Sequence, residues 1–436
     1  MHGKTYDALV VGTGPAGAAV ALRLSKAGKK VAIIERGPRI TRPGTITGML
    51  GAVDLMGMVP TLTSPSIVRG IALGGSTLLF CGTAAIPPLW LKDKYNLDIT
   101  SYVDETVEEL DLNPLPDELL GAGAKRLMNS ANELGYHWEP FRKFISPKRA
   151  KKGFCTGGTC MMGCSCGAKW TAADYVDEAV RLGADLFLKT KIDRVLIQDG
   201  IAVGVVGKTS EGDKDFWAKV VIISGGGVGT PAILLRSGIS SAGKKFFTDP
   251  VVQVYGVTNE EGSKYNPPMS VGTFEHYDER IVLSCLTDPS FLFPLMMAAG
   301  KPTKPWLALQ TGKVLGIMVK VGDEMNGQIF KNERFNKPMM KTELDRLKKG
   351  TEISKKILIK AGADPNNISV TPIRLTHPGG TARVGEVVNE NLETEVKNLF
   401  CCDASIIPET LDMPVVLTVI GFGKRLGDYL VQNKRV

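Results

Sequence analysis

No window of eighteen uninterrupted apolar residues occurs in this 436-residue chain, so the sequence offers no membrane-spanning helix. Fixed-period repeats and low-complexity tracts are also lacking, although 49 glycines and 25 prolines imply many turns and close backbone approaches. The chain passes from Met1 to a strand at Tyr6 with no basic-then-apolar leader, and the expectation is a cytoplasmic protein. Histidine is scarce: of the four, His2 is near a terminus and His137 and His276 sit in no recognisable motif, which leaves His377. Neither zinc-finger spacing nor an aromatic RNP-like strand is present, so the net charge of +8 carries no nucleic-acid reading. Its lysines between Lys331 and Lys360 alternate with Glu343, Asp345 and Glu352, the pattern of a solvated helix face in preference to a docking surface for an acidic electron carrier or an anionic membrane.

What is present starts at Val10 to Gly17, V-V-G-T-G-P-A-G, where an apolar strand runs into a glycine turn and a helix. Gly12 permits the tight turn, Gly14 lets backbone N–H groups approach a pyrophosphate, and Gly17 lets a helix over Pro15 to Lys26 pack against its strand. The helix start at Pro15 and Ala16 directs its partial positive charge toward the phosphates. Glu35 closes the next apolar strand and is placed to accept from a ribose diol, with Arg36 beside it in the same site. Strand, turn, helix and acid in this order predict a dinucleotide grip.

With 43% apolar residues the chain can bury a large core, and its pattern predicts an α/β protein of two lobes. A Rossmann-like lobe, a parallel sheet with a β-meander from Asp185 to Lys208, is assembled from residues 1–90, 150–248 and 371–436. Helical spacing over 91–149 predicts a cap segment, and short strands broken by Gly and Pro over 249–370 predict an inserted antiparallel substrate lobe. The apolar run Phe291 to Ala299, broken by Pro294, reads as substrate-lobe wall or dimer contact in preference to membrane dipping. As a wall it would imply a partly apolar substrate.

Two further glycine-rich passages extend the pattern: G-G-V-G-T-P-A-I-L-L-R-S-G at Gly226 to Gly238, and H-P-G-G-T-A-R-V-G at His377 to Gly385, the latter followed by C-D-A-S-I-I-P at Cys402 to Pro408. With V-V-G-T-G-P-A-G and Glu35, they resemble the glucose-methanol-choline (GMC) oxidoreductases, FAD enzymes that take a hydride from an alcohol carbon. The chain looks like a short member with a cysteine-rich loop. The resemblance implies FAD with its ADP half on Gly12, Gly14, Gly17 and Glu35, and its adenine against Ile192. It places Gly74, Gly75 and Ser76 along the pyrophosphate and flavin, Gly226 and Thr230 at the second turn, and Asp403, Ala404 and Pro414 at the flavin end. It also implies that His377 lies over the flavin and takes the hydroxyl proton, work suited to an imidazole with an ordinary pKa of about 6.5.

Departures from the family pattern keep other chemistry open. Met413 stands where the family has Asn or His before a proline, and Asp412 could serve only after a one-residue register slip. Leu79 or Phe80 replaces a common asparagine. Oxidation of an alcohol carbon, CH–OH to C=O, therefore stands beside desaturation or ene-reduction of an isoprenoid or alicyclic substrate, and beside a non-catalytic flavin carrier or lipid escort.

Cys155, Cys160, Cys164 and Cys166 fall within twelve residues of a glycine-rich loop. Four thiolates can ligate an iron–sulfur cluster or a zinc, or the cysteines can be unligated structural residues; neither C-x-x-C pairs nor ferredoxin spacing selects among these. A cluster would pass electrons singly to a carrier protein or quinone in preference to O2. Cys81, Cys285, Cys401 and Cys402 read as small buried residues. Self-association into a homo-oligomer is left open.

Overall fold

The computed structural model describes residues 5–55, 57, 64–151, 153, 154, 158–264, 266–289 and 291–436. The first lobe grows from strand Thr5–Val11, whose Ala8, Leu9 and Val10 are fully buried. It pairs in parallel with Val31–Ile34 on one side and Gly212–Ile223 on the other. Asp185–Phe187 and Leu399–Cys401 extend the parallel sheet. The antiparallel meander is carried by Lys191–Gln198, Ile201–Thr209 and Gly212–Ile223, so Asp185–Phe187, expected within it, is instead a parallel edge. Lys189, between that edge and the first meander strand, adopts a left-handed φ of 54°.

Helix Pro15–Lys26 lies against the closing helix Val416–Gln432. Gly423 and Gly427, one turn apart, permit the approach: a Cβ on Gly423 would come 2.4 Å from Ala16 O, and one on Gly427 would come 2.5 Å from Arg23 Cβ. Two mid-helix glycines cost about 1 kcal/mol each in propensity, and the close packing offsets that cost. The expected cap contributes helices Thr100–Glu109 and Ala122–Glu133, the first packing Val103 beside Gly421 and the second placing Leu127 and Ala131 in the core of the other lobe.

The second sheet runs in the order Ser66–Ile67, Arg374–Gly379, Phe247–Val257, Val314–Val321, Ile281–Cys285, Val271–Thr273 and Glu139–Pro140. Its pairings are antiparallel except for Ser66–Ile67 with Arg374–Gly379. Side chains alternate across a pleated strand. Val252, Val254, Ile317, Val319 and Val321 pack beneath helix Lys341–Lys360 on Leu347, Ile353, Ile357 and Leu358. The intervening Val251, Gln253, Met318 and Lys320 line a cavity on the opposite face. Ser66–Ile67 and Arg374–Gly379, expected with the nucleotide lobe, join this sheet, so the two lobes share a wall. No helix among the described residues is long and apolar enough to cross a membrane.

Candidate active site

The separated glycine passages meet. A Cβ on Gly12 would lie 2.1 Å from Ser224 O and one on Gly17 2.3 Å from Gly12 O, so strand, turn and helix are in backbone contact. Gly75 closes on the same turn, its Cβ position 3.1 Å from Gly14 Cα, while Gly74 N donates to Thr13 Oγ1 at 3.0 Å. From the far side Gly227 abuts Pro378, where a Cβ would sit 2.1 Å from the carbonyl oxygen. Gly14, Gly226 and Gly229, by contrast, line the cavity with open space where a side chain would be.

These turns border one cavity of about 760 Å³. At one end are Glu35, Arg36 and Ile192, along it Gly12 to Gly17, Gly75 and Ser76, and at the other Asp403, Ala404, Pro414 and His377. Glu35 Oε2 accepts from Thr13 N at 3.1 Å and Oγ1 at 2.6 Å, and Oε1 accepts from Gly37 N at 2.8 Å, which fixes the carboxylate at the cavity edge. Asp403 is buried, and burial raises its carboxyl against the opposing hydrogen bonds from Ser405, Thr230 and Gly226.

His377 enters the cavity by a local distortion. The pairing of Arg374–Gly379 with Phe247–Val257 shifts between Thr376 and Gly379, and His377 takes a left-handed φ of 50°. An irregularity of this kind re-aims a side chain, and a non-glycine residue with positive φ stores strain that sites use. His377 Nδ1 lies 2.7 Å from Asp249 Oδ2, and Lys320 Nζ donates to that oxygen at 2.7 Å. Burial opposes the charged Asp249, but Lys320 and His377 outweigh it and hold the carboxyl below its ordinary range. An ionised Asp249 accepts from Nδ1–H, leaving Nε2 as the basic ring atom.

Farther along the same sheet face, Arg374 pairs with Asp288 at 2.8 and 3.0 Å and donates to Gln253. The rest of this end is apolar: Val251, Met269, Leu286, Phe291, Leu292, Met296 and Met318.

Residues 6–252 and 329–423 match the N- and C-terminal parts of the GMC oxidoreductase family. The chain belongs to the GMC oxidoreductases. An uncharacterized protein of Methanocaldococcus jannaschii is 28% identical over 427 residues, 96% of this chain and 98% of that one. A long-chain-alcohol oxidase of Arabidopsis thaliana is 22% identical over 95% of this chain and 66% of its own length. Formate oxidase of Aspergillus oryzae has the same fold, with a TM-score of 0.72 at 17% identity over 100% of this chain and 99% of that one.

As a GMC protein the chain is an FAD flavoprotein, and the cavity suits FAD: uncovered glycine backbone flanks a fixed acid at one end, and an imidazole stands at the other. Two expected contact residues act from behind the wall. Gly74 and Thr230 do not line the cavity; Gly74 braces Thr13, and Thr230 Oγ1 donates to Asp403 Oδ2 at 2.5 Å. Arg36 lines it but is paired with Glu333 at 2.7 Å, an acid that also receives Arg69 and Lys191.

Asp412, expected as the second polar group, does not reach the cavity. Its carboxylate is clasped by Arg280 at 2.6 and 3.1 Å, its φ is 56°, and it lies against Gly322. His377 is bonded instead to Asp249, and through it to Lys320, two residues that sequence reasoning missed. Leu79 and Phe80 do line the cavity, as does Cys81, expected to be buried, whereas Cys285, Cys401 and Cys402 are buried.

Cys155 lies outside the described residues. Among the described residues no group of three or more His, Cys, Asp or Glu gathers as a metal site. Cys164 Sγ is 3.7 Å from Cys166 Sγ, and a hydrogen bond with Cys160 holds the Cys164 thiol below its ordinary range while raising that of Cys160. Two lysines are buried close by. Lys169 Nζ donates to the carbonyls of Leu78, Phe80 and Cys160, and Lys143 Nζ to those of Cys81, Pro268 and Met269 and to Thr83 Oγ1. Burial lowers both ammonium groups to about 8.

Proposed function

We propose that the protein oxidises an alcohol carbon, CH–OH to C=O, on a largely apolar substrate. The observation that carries this reading is the His377–Asp249–Lys320 chain at a cavity end walled mostly by Val, Leu, Met and Phe, with the Arg374–Asp288 pair and Gln253 farther along the same face. FAD bound along the glycine turns supplies a two-electron acceptor. His377 takes the hydroxyl proton at Nε2, Asp249 holds the ring by Nδ1, and Lys320 keeps Asp249 ionised. Phe291, Leu292, Met296 and Met318 exclude water and accept an alkyl or alicyclic body. The hydrogen-bonded imidazole supports proton removal from a hydroxyl over desaturation, while Met413 still leaves the place of the family's second polar group without one.

Anaerobic mixing with alcohols from ethanol to dodecanol tests the proposal: bleaching of the flavin should quicken with chain length and yield a carbonyl product. A C=C product, or a flavin that no alcohol reduces, refutes it in favour of a desaturase or a carrier.

We further infer that the thiol loop is the exit for electrons to a carrier. Met161 lines the cavity, and Lys143 and Lys169 have no carboxylate partner among the described residues, a charge balance that favours an anionic thiolate centre. Iron and acid-labile sulfide per flavin in anaerobically purified protein, with reoxidation rates in air and with a quinone, test this. Reoxidation fastest in air would make the protein an oxidase.

A further inference from the structure

The apolar stretch expected as a lobe wall has two faces. Helix Phe293–Gly300 and the short turn Pro305–Leu309 pack on one another. Phe293, Met297 and Leu307 point inward onto Tyr255 and Val314. Leu295, Trp306 and Leu309 do not: they are 62, 56 and 82% exposed. Leu295 also lines the cavity beside Leu292 and Met296, so this exposed face reaches the cavity mouth. Exposed large apolar side chains beside an opening mark an interaction surface.

Charge selects the occupant. From Pro289 to Gly322 there is no Asp or Glu, while three lysines reach the surface, Lys301, Lys304 and Lys313, beside the buried Lys320. Lys301 rests on the carbonyls of Asn366 and Ile368, Lys304 on Asn366 and Asn367, and none of the three lysines forms an ion pair among the described residues. A second copy docking by this same face would set lysine against lysine, with acids only on the flanking loops, at Asp364 and at Glu260 and Glu261. Apolar side chains interleaved with lysines, with a tryptophan among them, complement acyl chains beneath anionic headgroups.

We infer that this face docks on an anionic phospholipid bilayer, so that an apolar substrate passes from the lipid into the cavity mouth without crossing water. Docking is peripheral, with Trp306, Leu309 and Leu295 inserted at the headgroup level and the lysines above them. The purpose of such docking rests on the apolar-alcohol reading, but the test reads vesicle binding and not turnover, so either can fail alone.

The flavin-loaded protein is sedimented with vesicles of phosphatidylcholine plus phosphatidylglycerol, and with phosphatidylcholine alone. Binding is expected to the mixed vesicles and to weaken as salt rises. A Trp306→Ser/Leu309→Ser variant should bind them roughly a hundredfold more weakly while keeping its flavin content and melting temperature. No binding, equal binding to both vesicle types, or an unaffected double variant overturns the inference. So does a wild-type dimer in sedimentation velocity that the double substitution dissociates, which would give the face to a second copy.

Discussion

Asp249 Oδ2 is shared between His377 Nδ1 and Lys320 Nζ, each at 2.7 Å, so one buried oxygen ties the imidazole to a lysine from a different strand. In Asp249→Asn the amide cannot hold both partners, and Lys320 is left charged and buried. Flavin reduction by alcohol should slow by about 10²- to 10⁴-fold with FAD content unchanged, as measured by anaerobic stopped flow. A variant as fast as wild type would remove Asp249 from the proton path.

His377 also carries backbone strain, and that separates its two roles. Both His377→Ala and His377→Gly should lose flavin reduction. In thermal melts, however, the glycine variant should be more stable than the alanine variant by about 1 kcal/mol, because a left-handed φ costs a residue with a Cβ. Equal stabilities would mean that the backbone relaxes once the imidazole is gone.

For Asp412 the expectation is reversed. Asp412→Asn weakens the clasp on Arg280, which also donates to Thr410 and to the Asp323 carbonyl. Unfolding should become easier by about 2–4 kcal/mol, while the rate per bound flavin stays at the wild-type value. A selective loss of rate would return Asp412 to the active site.

Glu333 governs an acid limb of stability. Burial opposes its charge, but Arg36 first and then Arg69 and Lys191 outweigh it and hold the carboxyl at about 2, against an ordinary 4.5. A carboxyl lowered on folding stabilises fully above its unfolded pKa, and that contribution fades as pH falls from about 4.5 toward 2. Glu333→Gln should therefore cost on the order of 3 kcal/mol at neutral pH, with the difference from wild type shrinking below pH 4.5 in urea titrations.

The nucleotide end was legible because its requirements are local. Gly12, Gly14 and Gly17 act within one turn, and helix Pro15–Lys26 begins and ends where proline and lysine place it. The His377 end was only half legible. His377 stood out by rarity and motif, but Asp249 and Lys320 are 71 residues apart and meet only through strand register. A signal was present all the same: Lys320 is the lone charge in the apolar strand Val314–Val321, and a charge on a covered strand needs a partner. Asp412 misled because a one-residue register slip before Pro414 would put it at the family's second polar position, whereas Arg280 draws its carboxylate away.

The sheet that carries Asp249 and Lys320 has one face sealed by helix Lys341–Lys360 and the other open to the cavity. A single-residue insertion in strand Phe247–Val257 would exchange those faces, driving Asp249 and Gln253 into the oil and Val252 and Val254 into the reaction chamber. Chemistry and foldedness are thus obverse and reverse of one pleat, and this strand can change its length without losing both only in steps of two.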